Sequence, residues 1–166
     1  MTVNLIGKGP IYEAVKSELV GLIISEHPTN NVDILLCIGY PYTIRMETIM
    51  QYEYGVINVH TSLLPKYRGR HPVDWAMENE EKEIGITVHY IQDETIDTGD
   101  IILQDSVPYV VGEGYNSVIN KLAKKAPLIT GMALYQIAAE GVYRRKQIEE
   151  FATYYPKRTK PRIQKV

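Results

Sequence analysis

Thr2-Val3-Asn4-Leu5-Ile6-Gly7-Lys8-Gly9-Pro10, followed by Ile11, Val15, Leu19, Leu22 and Ile23 at helical spacing, reads as a strand, a glycine turn and a helix. Pro10 suits the first helical turn, where no N–H is needed, and Pro28 is expected to stop the helix after His27. Residues 32–38 are almost continuously apolar, as expected of a strand buried on both faces of a parallel sheet. Together these segments spell a βαβ unit, which places the chain in the α/β class, with a mostly parallel sheet and helices on both faces.

The rest of the chain extends that unit. A short helix is expected over residues 43–50, and Gly55 leads into a third strand over 56–59. Pro65 and Gly69 break residues 61–71 into a loop, and Pro72 opens a helix through Met77. Ile84, Ile86, Val88 and Tyr90 alternate with other residues as in a strand, and residues 93–99 form a polar turn before the strand Ile101-Ile102-Leu103. Val118, Leu122, Ala126, Ile129, Ala133 and Ile137 mark a long amphipathic helix, kinked or restarted near Pro127 and ended by Gly141. Residues 1–142 are thus expected to form one doubly wound domain. Residues 143–166 form a basic C-terminal segment, with Arg144, Arg145, Lys146, Lys157, Arg158, Lys160, Arg162 and Lys165, that acts as a tail or wraps around.

Composition narrows the function classes. The chain has 166 residues, 45% of them hydrophobic, enough for one core. Its 18 Lys and Arg against 20 Asp and Glu give a net charge of -2, which excludes the overall basicity of a nucleic-acid coat. Apolar runs are too short to span a bilayer, and no apolar signal core follows the N-terminus, so a cytoplasmic location without membrane partners is expected. The one cysteine, Cys37, sits in an apolar strand and reads as packing rather than as a nucleophile.

In open α/β sheets ligands gather at the carboxyl ends of the strands. Three polar places qualify: residues 7–9, 58–62 and 93–100. The first has Gly-X-Gly but carries Tyr12 where a dinucleotide fingerprint has its third glycine, so a nicotinamide cofactor is not expected. It remains either a tight turn or a phosphate cradle. Asn58 and His60 lie two apart on a strand end, so their side chains share a face, where an amide N–H and an imidazole N–H could meet a developing oxyanion. Their plain alternatives are a turn cap and a loop histidine. Asp97 would orient His60 and favour its charged form. The acids of residues 93–100 do not make a calcium loop, because Thr98 stands where glycine is needed and Gln104 where a bidentate glutamate is needed. No zinc spacing is present and Ser62 lacks a nucleophile elbow, so no metal site is expected.

Three ordered motifs, Asn58-Val59-His60-Thr61-Ser62-Leu63-Leu64-Pro65-Lys66-Tyr67-Arg68-Gly69, Gly85-Ile86-Thr87-Val88-His89 and Ile96-Asp97-Thr98-Gly99-Asp100-Ile101-Ile102, resemble the folate-dependent formyltransferases. That family includes glycinamide ribonucleotide, methionyl-tRNA and sugar-nucleotide formyltransferases. The resemblance spans residues 33–141 and implies a catalytic trio of Asn58, His60 and Asp97. It further implies that 10-formyltetrahydrofolate is the co-substrate, held by Tyr42, Thr43 and Ile44 and by the loop bearing Asp93, Glu94 and Asp97. A primary amine would accept the formyl group, with Asp97 helping to carry its proton.

Only 57 residues precede Asn58, fewer than the resemblance leads one to expect, and Thr61 stands where such proteins more often carry proline or glycine. The segment after Gly141 reads as too short for an RNA-binding domain, which disfavours methionyl-tRNA as acceptor, while Thr153-Tyr154-Tyr155-Pro156-Lys157-Arg158 is similar to a segment of sugar-nucleotide formyltransferases. A nucleotide-linked amino sugar is therefore the expected acceptor, bound by Ser62, Tyr67, Arg68, Gly69 and Trp75, with the stretch Tyr67-Arg68-Gly69-Arg70-His71-Pro72 and Trp75 offering stacking and charge beside the site. Arg68 as a loop brace and Trp75 as a core anchor are the alternatives. The rivals are glycinamide ribonucleotide transfer, formyl transfer to water, and a non-catalytic folate- or nucleotide-binding module. A homodimer is expected to cover the sheet edge left by the short front half.

Overall fold

The computed structural model describes residues 1–19, 21–25, 32–140 and 144–159. Strand β1 (Val3–Gly7) enters helix α1 (Pro10–Glu18), and β2 (Ile23–Ser25) and β3 (Ile34–Ile38) follow. Pro10 sits at the start of α1 as its missing N–H allows, and Ile11, Tyr12 and Val15 form its buried stripe. Helix α1 ends at Glu18, earlier than the apolar spacing suggests, because Leu22 and Ile23 belong to the turn and strand that return to the sheet edge. The expected stop at His27 and Pro28 lies outside the described residues.

Helix α2 is a single turn (Met46–Ile49), after which come β4 (Val56–His60), the two-residue strand β5 (Arg68–Gly69) and helix α3 (Pro72–Glu78). Strands β6 (Glu83–Ile91) and β7 (Ile101–Pro108) precede the long helix α4 (Tyr115–Glu140). Helix α4 is one continuous element with Pro127 inside it, so the expected restart does not occur; Gly141 lies outside the described residues. A 3-10 turn (Glu149–Phe151) and the short strand β8 (Tyr154–Tyr155) complete the described chain.

The main sheet has the order β2-β1-β3-β4-β6-β7. Strands β1 to β4 pair in parallel, whereas β6 is antiparallel to both β4 and β7. The result is the mostly parallel Rossmann-like sheet expected from the sequence. Strand β1 lies between β2 and β3, so successive connections leave it in opposite directions and open a crevice at the strand ends. Gly7 is needed there: a Cβ on it would lie 1.8 Å from the Ile38 carbonyl oxygen.

One face of the sheet packs against α1 and α4, with Val3, Leu5, Ile57, Ile86 and Val88 meeting Val15, Leu122 and Ile137 in one buried cluster. On the other face Ile6, Leu35, Cys37 and Val56 form a smaller cluster with Ile44 and Tyr52. Cys37 is buried and free, and burial holds its thiol well above the usual range, as its apolar surroundings suggested. Among the described residues no helix is long and apolar enough to cross a membrane.

Candidate active site

The alternation of β4 sends Ile57 and Val59 toward the helices and Asn58 and His60 toward the opposite face. Antiparallel pairing places His89 of β6 directly across from Asn58, so the two side chains meet, Asn58 Nδ2 lying 3.1 Å from His89 Nε2. The turn between β6 and β7 folds back over this face. It brings Asp97 Oδ2 to 3.5 Å from His60 Nδ1, and Asp97 Oδ1 to 3.5 Å from His89 Nε2 and 3.4 Å from Asn58 Nδ2.

Backbone partners orient the rings. His60 Nε2–H donates to the Tyr67 carbonyl at 2.8 Å, which leaves Nδ1 on the side of Asp97. His89 Nδ1–H donates to the Tyr90 carbonyl at 2.9 Å, so Nε2 presents its lone pair to the Asn58 amide. One Asn58 N–H is thereby anchored, while the other reaches Asp97 over a long contact that a substrate oxygen can compete for. The Gly69 N–H donates to Asp97 Oδ2 at 2.9 Å. Burial by itself would raise the Asp97 pKa, but the positive charge of protonated His60 and the Gly69 N–H outweigh it and hold the carboxyl well below the usual carboxylate range. Asp97 has φ 56°, a left-handed conformation uncommon outside glycine and frequent at functional sites.

The loop after His60 is pressed onto β6. Thr87 Oγ1 donates to the Ser62 carbonyl at 2.6 Å and accepts from the Leu64 N–H at 3.2 Å. Gly85 makes this approach possible, since a Cβ there would stand 2.3 Å from the Leu63 nitrogen.

Asn58, His60 and Asp97 open into a cleft of about 470 Å³ at the strand ends, within the size range of small-molecule sites. Tyr42, Thr43, Ile44, Asp93, Glu94 and Gly69 also line it. Lys8 of the glycine turn and Arg70 and His71 of the stretch expected to serve the acceptor stand at its walls, as does Tyr40, which the sequence reading did not single out. A wider groove of about 1260 Å³ lies between α1 and α4, but its walls are helix surfaces such as Leu19, Leu128 and Met132, without the convergent polar groups of the smaller cleft. Among the described residues no group of three or more His, Cys, Asp or Glu is placed to hold a metal ion.

Four residues expected to bind the acceptor are turned away from the cleft. Ser62 donates to the Lys66 carbonyl at 2.7 Å, and the Tyr67 hydroxyl donates to Glu81 at 2.8 Å and accepts from Asn79 at 3.0 Å. Arg68 is buried, clamped by Glu149 at 2.6 and 2.9 Å. Trp75 packs on Tyr155 with ring centroids 5.0 Å apart and donates its indole N–H to the Pro156 carbonyl at 3.1 Å. They brace the loop: Ser62 and the Tyr67 hydroxyl find partners within the domain, whereas Arg68, Trp75 and the Tyr67 N–H are held by residues 144–159, which return to it as Arg145 bridges Ile101 and β8 pairs with β5. Of the stretch expected to serve the acceptor, Gly69, Arg70, His71 and Pro72 line the cleft. The basic positions Lys160, Arg162 and Lys165 lie outside the described residues.

An open α/β sheet with a polar cluster and a ligand-sized cleft at its switch point places the chain in the doubly wound class, where such crevices are the usual ligand sites. The class narrows to a family. A family model described as formyl transferase matches residues 15–133, and the chain belongs to that family. It is 37% identical over 130 residues to methionyl-tRNA formyltransferase of Caldanaerobacter subterraneus subsp. tengcongensis, a match covering 78% of this chain and 42% of that protein. The chain thus spans about two-fifths of the length of the curated relatives it matches, at 42% and 41% for two of them.

Among solved structures, the formyltransferase PseJ of Anoxybacillus kamchatkensis, in complex with UDP-4,6-dideoxy-4-formamido-L-AltNAc and tetrahydrofolate, has the same fold with TM-score 0.75 and 23% identity. The match covers 93% of this chain and 85% of that one. Glycinamide ribonucleotide transformylase 1 of Symbiobacterium toebii gives TM-score 0.72 at 21% identity, covering 89% and 93% of the two chains.

Proposed function

We propose that this chain is an N-formyltransferase that moves a formyl group from 10-formyltetrahydrofolate to a primary amine of a nucleotide-linked amino sugar. The observation that carries the transfer reading is the convergence of Asn58, His60 and Asp97 within 3.5 Å contacts in a cleft of a formyl transferase family member. The cleft fits a folate: Tyr40 and Tyr42 offer aromatic surface at its rim, and residues 93–97 offer carboxylate and backbone acceptors to a pterin rich in N–H donors. Bound 10-formyltetrahydrofolate supplies the formyl carbon that the amine attacks.

The residues do the rest. The Asn58 N–H that makes only the long contact to Asp97, and a protonated His60 Nδ1, meet the negative charge that grows on the formyl oxygen, an interaction worth about 3 to 4 kcal/mol of barrier for one such donor. Asp97, ionised and held by Gly69, takes the proton released by the attacking amine, directly or through water, and hands it on toward N10, whose bond to the formyl carbon breaks as tetrahydrofolate leaves.

The amino-sugar reading is supported by Lys8, Arg70 and His71 at the cleft walls, which suit a diphosphate, and by coverage of most of the PseJ chain. Methionyl-tRNA is the second acceptor to test, because the sequence relatives carry that name. Calorimetric titration with a stable 10-formyl folate analogue, followed by transfer assays on UDP- and dTDP-linked amino sugars with mass detection of the formamide, tests the proposal. Saturable binding and formylation of an amino sugar are expected. Binding with formylation of methionyl-tRNA alone would overturn the acceptor assignment, and absence of binding would favour a non-catalytic module. Light scattering at micromolar concentration tests the proposed homodimer, for which a monomer is the failing result.

A further inference from the structure

We propose that Gln147 is a positioning residue of the site: its side-chain amide ties the loop that carries Asp97 to the loop that carries Tyr67, Arg68 and Gly69. This rests on the formyl-transfer reading. Gln147 Nε2 donates to the carbonyl of Asp97 and to the carbonyl of Gly99, each at 2.8 Å. Its Oε1 accepts from Arg68 Nε at 3.1 Å and from Arg68 Nη2 at 2.8 Å. Both donors and both lone pairs of the amide are therefore in use.

The bonds close a ring through the site. From the Asp97 backbone the path runs through Gln147 to the Arg68 guanidinium, along the chain to the Gly69 N–H, and back to the Asp97 carboxylate. The same Arg68 loop presents the Tyr67 carbonyl that holds His60 Nε2. The two residues whose relation matters, His60 and Asp97, are thus held by one ring. Gln147 fixes the backbone of Asp97 where it takes its uncommon left-handed conformation.

The C-terminal segment anchors the ring. Glu149 clamps Arg68 from the far side, the Arg68 N–H donates to the Thr153 carbonyl at 2.8 Å, and Thr153 Oγ1 accepts from the Tyr67 N–H at 2.8 Å. Only a primary amide offers two donors and two lone pairs at one side-chain end; glutamate keeps the acceptor toward Arg68 but turns a carboxylate against two carbonyls.

The test compares Gln147→Met, which fills the space without hydrogen bonds, and Gln147→Glu, which keeps only the acceptor. Steady-state formyl transfer, melting temperature and the Asp97 carboxyl titration by 13C NMR are read for each in the full chain. The Asp97 signal is assigned through Asp97→Asn. The groups that face this carboxyl are His60, His89 and the Gly69 N–H, with Asp93 and Glu94 on its own loop. In Gln147→Met kcat is expected to fall about 10- to 100-fold, with the folate KM within about 2-fold, since small misplacements near a reacting group cost rates of that order. The Asp97 titration is expected to move upward in both variants as His60 and Gly69 lose their hold.

Wild-type kcat with a wild-type Asp97 titration in a folded variant would overturn the proposal. A loss of activity that only tracks the loss of folded protein, with the titration unmoved, would also overturn it. Should the wild-type protein transfer no formyl group, the reading of its function fails, while the Asp97 titration still decides the role of Gln147.

Discussion

On one side of the cleft His89 is 1% exposed, and Asn58, His60 and Asp97 are tied to one another and to the backbone of the 67–69 loop; on the other side Tyr42 is 73% exposed and touches Tyr40 edge-on. The buried wall has its hydrogen bonds made before any ligand arrives, which suits groups that must meet a developing charge without rearrangement. The exposed wall has aromatic area still to bury, which suits recognition of a flat ring system. On the proposed function, chemistry falls to the wall held by long-range hydrogen bonds and binding to the wall of short, solvent-facing segments.

Mutations can break this division. Asp97→Asn is expected to lower kcat about 100- to 1000-fold with little change in folate affinity, because it removes the charge partner of His60 and the proton acceptor while leaving the exposed wall intact. Equal losses in kcat and in analogue binding, measured by kinetics and calorimetry, would show that the walls are not separable. Gly85→Ala acts on the same wall from behind: its Cβ would press on Leu63, with an expected cost of about 1 to 3 kcal/mol and a fall in melting temperature of about 2–4 °C per kcal/mol. A melting curve equal to wild type would show that the 61–71 loop is not pressed onto β6 as described.

On the exposed wall Tyr42→Ala is expected to raise the folate KM about 2- to 10-fold at constant kcat, the value of one aromatic contact. A drop in kcat alone would place Tyr42 with the chemistry. The smallest effect concerns acid stability. Because the native Asp97 carboxyl lies below the ordinary value of about 3.9, its ionisation favours the folded state at neutral pH, and that contribution is lost as the pH falls from about 5 downward. Melting temperatures should therefore decline less steeply with acid in Asp97→Asn than in wild type, and parallel curves would contradict the assigned direction.

Asp93 and Glu94 were legible because they fall in a polar turn at strand ends, where ligands gather, whereas Tyr42, Thr43 and Ile44 came only from the family resemblance; all five line the cleft. Asn58 and His60 were legible as a pair because a strand repeats every two residues. His89 was missed although it alternates with Val88 and Tyr90 in a readable strand; its meeting with Asn58 depends on the antiparallel register of β6 against β4. Ser62, Tyr67, Arg68 and Trp75 were assigned to the acceptor on residue type, and type does not tell which way a loop side chain faces. Arg68 and Trp75 are turned by Glu149 and Pro156, in a segment that carries no local signal of where it docks, while Ser62 and the Tyr67 hydroxyl are turned by Lys66 and Glu81 within the domain.

By itself the sequence determined the opening strand, glycine turn and helix start, the buried strand β3, the polar pair at the end of β4 and the burial of Cys37, but not the strand β2 between helix and β3; the legible parts are consequences of local sterics and hydrophobic period acting within a few residues. Tertiary structure alone decided the early end of α1, the reversal of β6, the addition of His89 to the site and the ring through Gln147. Each of these depends on hydrogen bonds between groups far apart in the chain, and register between distant strands and loops is set by what the whole fold buries rather than by any one segment.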